Sequence, residues 1–248
     1  MNWQLRPARD HGLAQRERLR SLLREPGLTG TLLNAAWRRG VRAYLGLCHR
    51  LRVTGRENLP APPFVLIANH ASHLDALTLS SILRGEAARR CYALAAGDVF
   101  FGSTAASAFA AYAVNALPVW RRRTRAGELA LLRERLIADR LVYILFPEGT
   151  RSRDGSMARF QPGIGALVAG AEAPVVPCWL EGAFAAWPAQ RALPRPGPLR
   201  LTIGAPLRFA ALSNDRAGWE SVARQCEAAV RALGGLGAAD PPAAECAA

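Results

Sequence analysis

From residue 60 onward the chain alternates short apolar runs with helical patterns, and this alternation constrains its fold more than any other feature. Strands are expected at Phe64–Ala68, Cys91–Ala95, Leu117–Trp120, Leu141–Phe146, Val175–Leu180 and Leu199–Gly204. Helices are expected at 74–84, 103–113, 125–138, 162–172 and 215–233. Runs such as Val142-Tyr143-Ile144-Leu145-Phe146 are apolar at every position, which suits a strand covered on both faces. Strands separated by helices imply an α/β fold with a single, largely parallel sheet flanked by helices. Half of the 248 residues are hydrophobic, so one domain over residues 53–233 can bury a substantial core. The Gly-, Ala- and Pro-rich stretch 234–248 is expected to be a disordered tail.

Residues 1–52 differ in character. The segments 13–24 and 28–52 read as helices, the second with an apolar stripe of Leu33, Trp37, Val41, Tyr44, Leu45 and Cys48. Arg38, Arg39, Arg42, Arg50 and Arg52 accompany it. Residues 1–60 hold twelve arginines against four acids, eight of the thirteen net positive charges, and the chain has no lysine. This N-terminal amphipathic extension fits either a helix packed on its own domain or one lying in an anionic membrane interface. Nucleic acid is the other anionic partner such charge can serve, but no nucleic-acid motif accompanies it, and no nucleic-acid partner is expected. Nothing in residues 1–25 reads as a cleavable signal. Five cysteines without a CxxC pair argue against a disulfide framework or zinc site and for a reducing compartment. The uncharged run Val99–Trp120 is long enough to span a bilayer. Its Gly102, Ser103, Thr104, Ser107, Asn115 and Pro118 favour a buried or groove-lining helix followed by a strand.

Two segments carry chemistry. The strand Phe64–Ala68 leads into Asn69-His70-Ala71-Ser72-His73-Leu74-Asp75, at the kind of strand end where α/β folds bind ligands. A histidine held at one ring nitrogen by a carboxylate can take a proton from a hydroxyl at the other. In one continuous helix residues five apart sit about 140° apart. His70 and Asp75 can therefore meet only if His70 lies on the turn and Asp75 in the first helical turn. Ser72-His73-Leu74-Asp75 also matches a capping box, so Asp75 could equally serve as a helix cap. His73 points elsewhere in this geometry and reads as a bystander. The second segment is Pro147-Glu148-Gly149-Thr150-Arg151-Ser152, following the strand Leu141–Phe146. Gly149 permits a tight turn, and Arg151 can grip an anion with paired hydrogen bonds. Backbone N–H groups in such a turn form an anion-binding concavity.

Together these blocks, Asn69–Asp75 and Phe146–Ser152, resemble the NHxxxxD and FPEGTRS blocks of the glycerolipid acyltransferase family, the 1-acylglycerol-3-phosphate O-acyltransferase type. The resemblance covers roughly residues 50–210. It implies that family's α/β fold and transfer of a fatty acyl group from acyl-CoA or acyl carrier protein to the hydroxyl of a lyso-lipid, most simply 1-acylglycerol-3-phosphate. By resemblance, His70 is the general base and Asp75 its orienting partner. Glu148, Gly149, Thr150 and Arg151 belong to the acceptor-phosphate site, with Glu148 shaping the loop. A third family block, glycine, apolar residues, then Asp-Arg, corresponds to Asn115–Arg121. Arg121 matches its phosphate-binding arginine, while Asn115 replaces the glycine and Trp120 the aspartate. Val176-Pro177 matches a fourth block. Phe160-Gln161-Pro162-Gly163 carries Gln161 where the family often has lysine. Those departures keep another acceptor, such as a lyso-ornithine lipid, as the alternative.

The resemblance implies no cofactor beyond the acyl donor, and no GxSxG elbow suggests an acyl-enzyme. No metal site is expected, since the remaining histidines, His11 and His49, lie in the N-terminal region. Backbone donors near the start of the helix after Ser72 are expected to meet the oxyanion. The expected location is the cytoplasmic face of the cell membrane, as a peripheral or monotopic protein.

Overall fold

The computed structural model describes residues 8–25, 27–96, 104–119 and 126–237. Helices α1 (Gln15–Arg20) and α2 (Leu28–His49) precede strand β1 (Arg52–Thr54) and strand β2 (Phe64–Ala68). Helices α3 (Asp75–Ile82) and α4 (Gly85–Arg89) lead to β3 (Cys91–Ala96), α5 (Thr104–Tyr112) and β4 (Ala116–Val119). Then follow α6 (Ala126–Ala138), β5 (Val142–Leu145), α7 (Gly163–Val168), β6 (Val175–Glu181), α8 (Ala183–Ala186), β7 (Arg200–Ile203) and α9 (Arg216–Leu233).

The strands form one seven-stranded sheet in the order β1-β7-β6-β2-β5-β3-β4. All neighbouring pairs are parallel except β6 and β7, so the sheet is largely parallel, as the sequence implies. Strand β2 shows why its sequence is apolar throughout. Phe64, Leu66 and Ala68 enter the core beneath α2 and α3, while Val65 and Ile67 enter the core beneath α6, α7 and α9. On the second face α7 and α9 approach so closely that a Cβ on Gly165 would stand 2.2 Å from Trp219 Cα.

Helix 28–52 of the sequence reading is shorter in the structure. Arg50 adopts a left-handed φ of 44°, ending α2 at His49, and Arg52 opens β1 beside β7. Helix 162–172 likewise ends at Val168, where Ala169 turns extended. Trp120 lies outside the described residues, as do residues 99–103; the rest of the run Val99–Trp120 supplies α5 and β4. No helix among the described residues is long and apolar enough to cross a membrane.

The two halves of α2 do different things. Val41 and Leu45 are buried against the sheet side, whereas Leu28, Leu32, Leu33 and Trp37 are exposed. Of the two readings the sequence leaves open for this segment, two of its arginines follow the packed one and turn inward. Arg38 donates to the carbonyls of Ser80, Leu83 and Ala88, and Arg42 donates to Ser81 at 2.9 Å. They supply donors to the last carbonyls of α3, which no backbone N–H satisfies, and place positive charge at the negative end of its dipole. Helix α2 is thereby fixed to the element that carries Asp75.

Candidate active site

Parallel pairing of β2 with β5, with Ile67 opposite Leu145, delivers the two chemically equipped loops side by side at one sheet edge. Asn69 extends the pairing of β2 with β6 beyond the strand. Its side-chain amide donates to Leu180 O at 3.0 Å, and its carbonyl accepts from Leu180 N at 2.8 Å. This pair of hydrogen bonds fixes the direction in which His70 leaves the sheet.

His70 Nδ1 lies 2.8 Å from Asp75 Oδ2. The carboxylate can only accept, so Nδ1 carries the proton and Nε2 presents its lone pair. The same Oδ2 accepts from Ala71 N and Ser72 N, both at 2.8 Å. Capping and orienting are therefore performed by one oxygen of Asp75. Only half of the expected capping box forms, because the Ser72 hydroxyl accepts from Leu74 N and donates to Trp187 O. The imidazole stacks on Phe146 with centroids 4.0 Å apart and planes inclined by 15°, which fixes its remaining rotation.

Glu148 ties the second loop to the first. Its Oε1 accepts from His70 N at 2.6 Å, and its Oε2 accepts from Ala158 N at 2.9 Å. Ser152 N donates to His70 O at 2.8 Å, closing a second link between the loops. Burial pushes the Glu148 carboxyl up to about 7, against the pull of those two backbone donors. A carboxyl raised in the folded state favours folding while it is protonated. Its contribution is full below the ordinary carboxylate range and declines as pH rises through about 7. Glu148→Gln should flatten that pH dependence. Its amide can accept only one of the two backbone N–H bonds, so stability at pH 5 should fall by about 1–3 kcal/mol, with a smaller loss at pH 8, where the glutamine also removes a buried charge. Urea unfolding of both proteins at pH 5 and pH 8 checks both expectations.

Gly149 adopts φ +75°, a conformation in which a side chain is strained, and its N–H donates to Phe146 O. Thr150 and Arg151 follow it onto the wall of a large cavity of about 1170 Å3. His70 also lines that cavity, which is otherwise mostly apolar, with walls from Trp37, Val41, Leu77, Phe109, Leu132 and Leu167. Trp37 and Phe109 meet edge to face at 5.3 Å and remain partly exposed, marking the side where the cavity meets the surface. The space suits a long apolar ligand whose polar end meets His70 and Arg151.

Arg121 lies outside the described residues. Asn115, which stands where the family block has glycine, has φ 53°. Asparagine tolerates this left-handed conformation better than other non-glycine residues, so the exchange preserves the turn. The oxyanion donors are expected near the start of the helix after Ser72, which begins at Asp75. Every backbone N–H from His70 to Leu74 is engaged, by Glu148, Asp75, Trp187 and Ser72. A developing oxyanion must find donors outside this segment. His73, read as a bystander, stands outside the dyad but on the cavity wall, with Arg151 Nη1 2.7 Å from its ring nitrogens. His49 is buried and spent structurally between Gly197 O and the Tyr44 hydroxyl. Among the described residues no cluster of three metal-ligating side chains occurs.

A histidine–carboxylate pair at the edge of a parallel sheet, facing an apolar cavity and an arginine-bearing turn, defines an α/β protein equipped for proton abstraction beside a lipid-sized space. A family model described as acyltransferase matches residues 50–181, and the chain belongs to that family. The chain is 30% identical over 131 residues to human 1-acyl-sn-glycerol-3-phosphate acyltransferase alpha, a match covering 52% of this chain and 44% of that protein. It is 31% identical over 160 residues to a 1-acyl-sn-glycerol-3-phosphate acyltransferase of Chlamydomonas reinhardtii, covering 62% of this chain and 46% of the relative. The chain thus spans about half the length of the curated relatives it matches. In fold it is similar to the 1-acyl-sn-glycerophosphate acyltransferase PlsC of Thermotoga maritima, with a TM-score of 0.64, 24% identity, and coverage of 82% and 79% of the two chains.

Proposed function

We propose that this protein transfers a fatty acyl group from acyl-CoA or acyl carrier protein to the free hydroxyl of a lysophospholipid, with 1-acylglycerol-3-phosphate as the leading acceptor. The observation that carries this reading is the His70–Asp75 pair, 2.8 Å apart, opening onto the apolar cavity beside Arg151. His70 Nε2 removes the acceptor's hydroxyl proton, and the oxygen attacks the thioester carbonyl as the C–O bond forms. Collapse of the tetrahedral intermediate breaks the C–S bond, and the leaving thiolate takes the proton back from His70. Asp75 holds the ring in the required tautomer and stabilises the transient imidazolium. Thr150 and Arg151 sit where they can meet the acceptor's phosphate, and Gly149 lets that turn form.

A lipid acceptor also suits the exposed Leu28, Leu32, Leu33 and Trp37 of α2, close to the cavity side marked by Trp37 and Phe109. In this reading these side chains enter the bilayer interface, and the protein works as a peripheral or monotopic protein at the cytoplasmic face. A second acceptor class, a lyso-ornithine or other phosphate-free lyso-lipid, is favoured by Gln161. This neutral side chain lines the cavity beside Gly149, where the family often has lysine. Purified protein offered one acyl-CoA and an equimolar mixture of lysophosphatidic acid, lysophosphatidylcholine and lyso-ornithine lipid separates the two. The leading reading predicts phosphatidic acid as the main product; a phosphate-free product in excess would favour the second.

A further inference from the structure

His73 lies three residues after the proposed base, yet its contacts come from distant parts of the chain. Arg151 Nη1 is 2.7 Å from both ring nitrogens, a placement over the imidazole rather than along either lone pair. The Trp187 ring centroid is 4.9 Å away, and His73 N donates to Trp187 O at 3.2 Å. His73, Arg151 and Trp187 all line the cavity that His70 faces. A guanidinium at this distance is tolerated by a neutral imidazole in either tautomer and repelled by an imidazolium.

We propose that His73 is a positioning residue that holds the Arg151 guanidinium toward the acceptor's anionic group while neutral and releases it on protonation. The inference rests on the acyl-transfer reading above, because it assigns Arg151 an anionic acceptor. The groups that face His73 are Arg151 from the loop after β5, the main chain of Ala189 beside Trp187, and Asp75 and His70 from its own segment. Burial and then the Arg151 charge hold the His73 imidazole below its ordinary range, while the Ala189 carbonyl and Asp75 pull the other way. The neutral form therefore persists to lower pH than in a free histidine. Acceptor binding should weaken only as pH falls through that lowered range.

This separates His73 from His70 in kinetics. Protonating His70 removes the base and lowers kcat, whereas protonating His73 displaces a binding group and raises the acceptor KM. Placing a permanent charge beside Arg151 should imitate the protonated state. His73→Lys should raise the KM for lysophosphatidic acid by about tenfold or more, the scale of one lost charge-assisted hydrogen bond. In an Arg151→Ala background the same substitution should change KM by less than about twofold, because it acts through Arg151. His73→Gln, a neutral variant that does not depend on tolerating a buried lysine, should flatten the rise of acceptor KM as pH falls below the ordinary histidine range of about 6.5.

The decisive experiment is the pH profile of acceptor KM and of kcat for wild type, His73→Gln, His73→Lys, Arg151→Ala and the His73→Lys/Arg151→Ala double variant. Flattening by His73→Gln and non-additivity in the double variant are expected. An unchanged KM profile in His73→Gln, or fully additive effects of His73→Lys and Arg151→Ala, would overturn the role of His73 alone. Absence of acyl transfer by the wild type to any lyso-lipid would overturn the proposed function, and this inference with it.

Discussion

Replacing His70 with alanine should lower kcat by at least about 10²-fold, the low end of what a positioned general base contributes. The geometry says why the loss should fall on kcat. His70 is the proposed base, its Nδ1 is committed to Asp75, and its ring is stacked on Phe146, so only Nε2 is turned to the reacting hydroxyl. The imidazole is half-buried at the cavity edge and packs chiefly on Phe146, so its removal should leave the fold in place. Circular dichroism and the urea midpoint of His70→Ala should therefore match the wild type while turnover collapses. Near-normal turnover by the folded variant would remove His70 from the mechanism.

The second large effect is expected at Asp75. Its Oδ2 accepts from His70 Nδ1, Ala71 N and Ser72 N, and the residue is almost wholly buried. Asp75→Ala leaves two backbone donors and the imidazole without their acceptor. At about 1 kcal/mol or more for each buried group stranded, stability should fall by about 2–4 kcal/mol. Activity should fall with it, because the imidazole loses the partner that sets its tautomer. Asp75→Asn separates the two effects. If the amide oxygen keeps the Oδ2 position, the backbone bonds survive and much of the stability returns. The negative charge that would stabilise the imidazolium is still gone, so kcat should remain depressed by about 10²-fold or more. Calorimetry alongside steady-state kinetics on both variants checks this, and an Asp75→Asn enzyme with wild-type kcat would argue that Asp75 only caps α3.

The parts of this architecture legible in the sequence are those set by short-range pattern. β2 and β5 are buried on both faces and therefore apolar at every position, which marks them without reference to the rest of the chain. The loops that follow carry recognisable residues because a parallel sheet gathers its chemistry at one edge. β1 was not legible. The expected helix 28–52 takes in its first residue, Arg52, and the break comes from Arg50 adopting a left-handed conformation with no glycine to announce it. Nor does the sequence announce that β7 runs antiparallel to β6, since pairing direction depends on the connection through α8.

The site shows the same division. His70 and Asp75 are five residues apart, and a local geometric argument suffices to bring them together. His73 meets Arg151 and Trp187 across 78 and 114 positions, so sequence spacing carries no trace of those contacts. The sequence leaves Arg38 and Arg42 open between packing and interface for a related reason. Arginine beside an apolar stripe looks interfacial, but the C-terminal carbonyls of α3 lie within reach and hold these guanidiniums inward. Asn69 belongs to the NHxxxxD-like block, yet its paired hydrogen bonds to Leu180 depend on the neighbouring strand β6 and become apparent only in three dimensions.

The central claim, direct acyl transfer from a thioester to a lyso-lipid hydroxyl under His70, is tested most directly by product mass balance. Acyl-CoA and lysophosphatidic acid are incubated with the purified protein, and free CoA, diacyl lipid and free fatty acid are quantified together by mass spectrometry. The expected result is one diacyl lipid formed per CoA released, no CoA release when lyso-lipid is omitted, and loss of both products in His70→Ala. Release of CoA with free fatty acid and no diacyl lipid would contradict it.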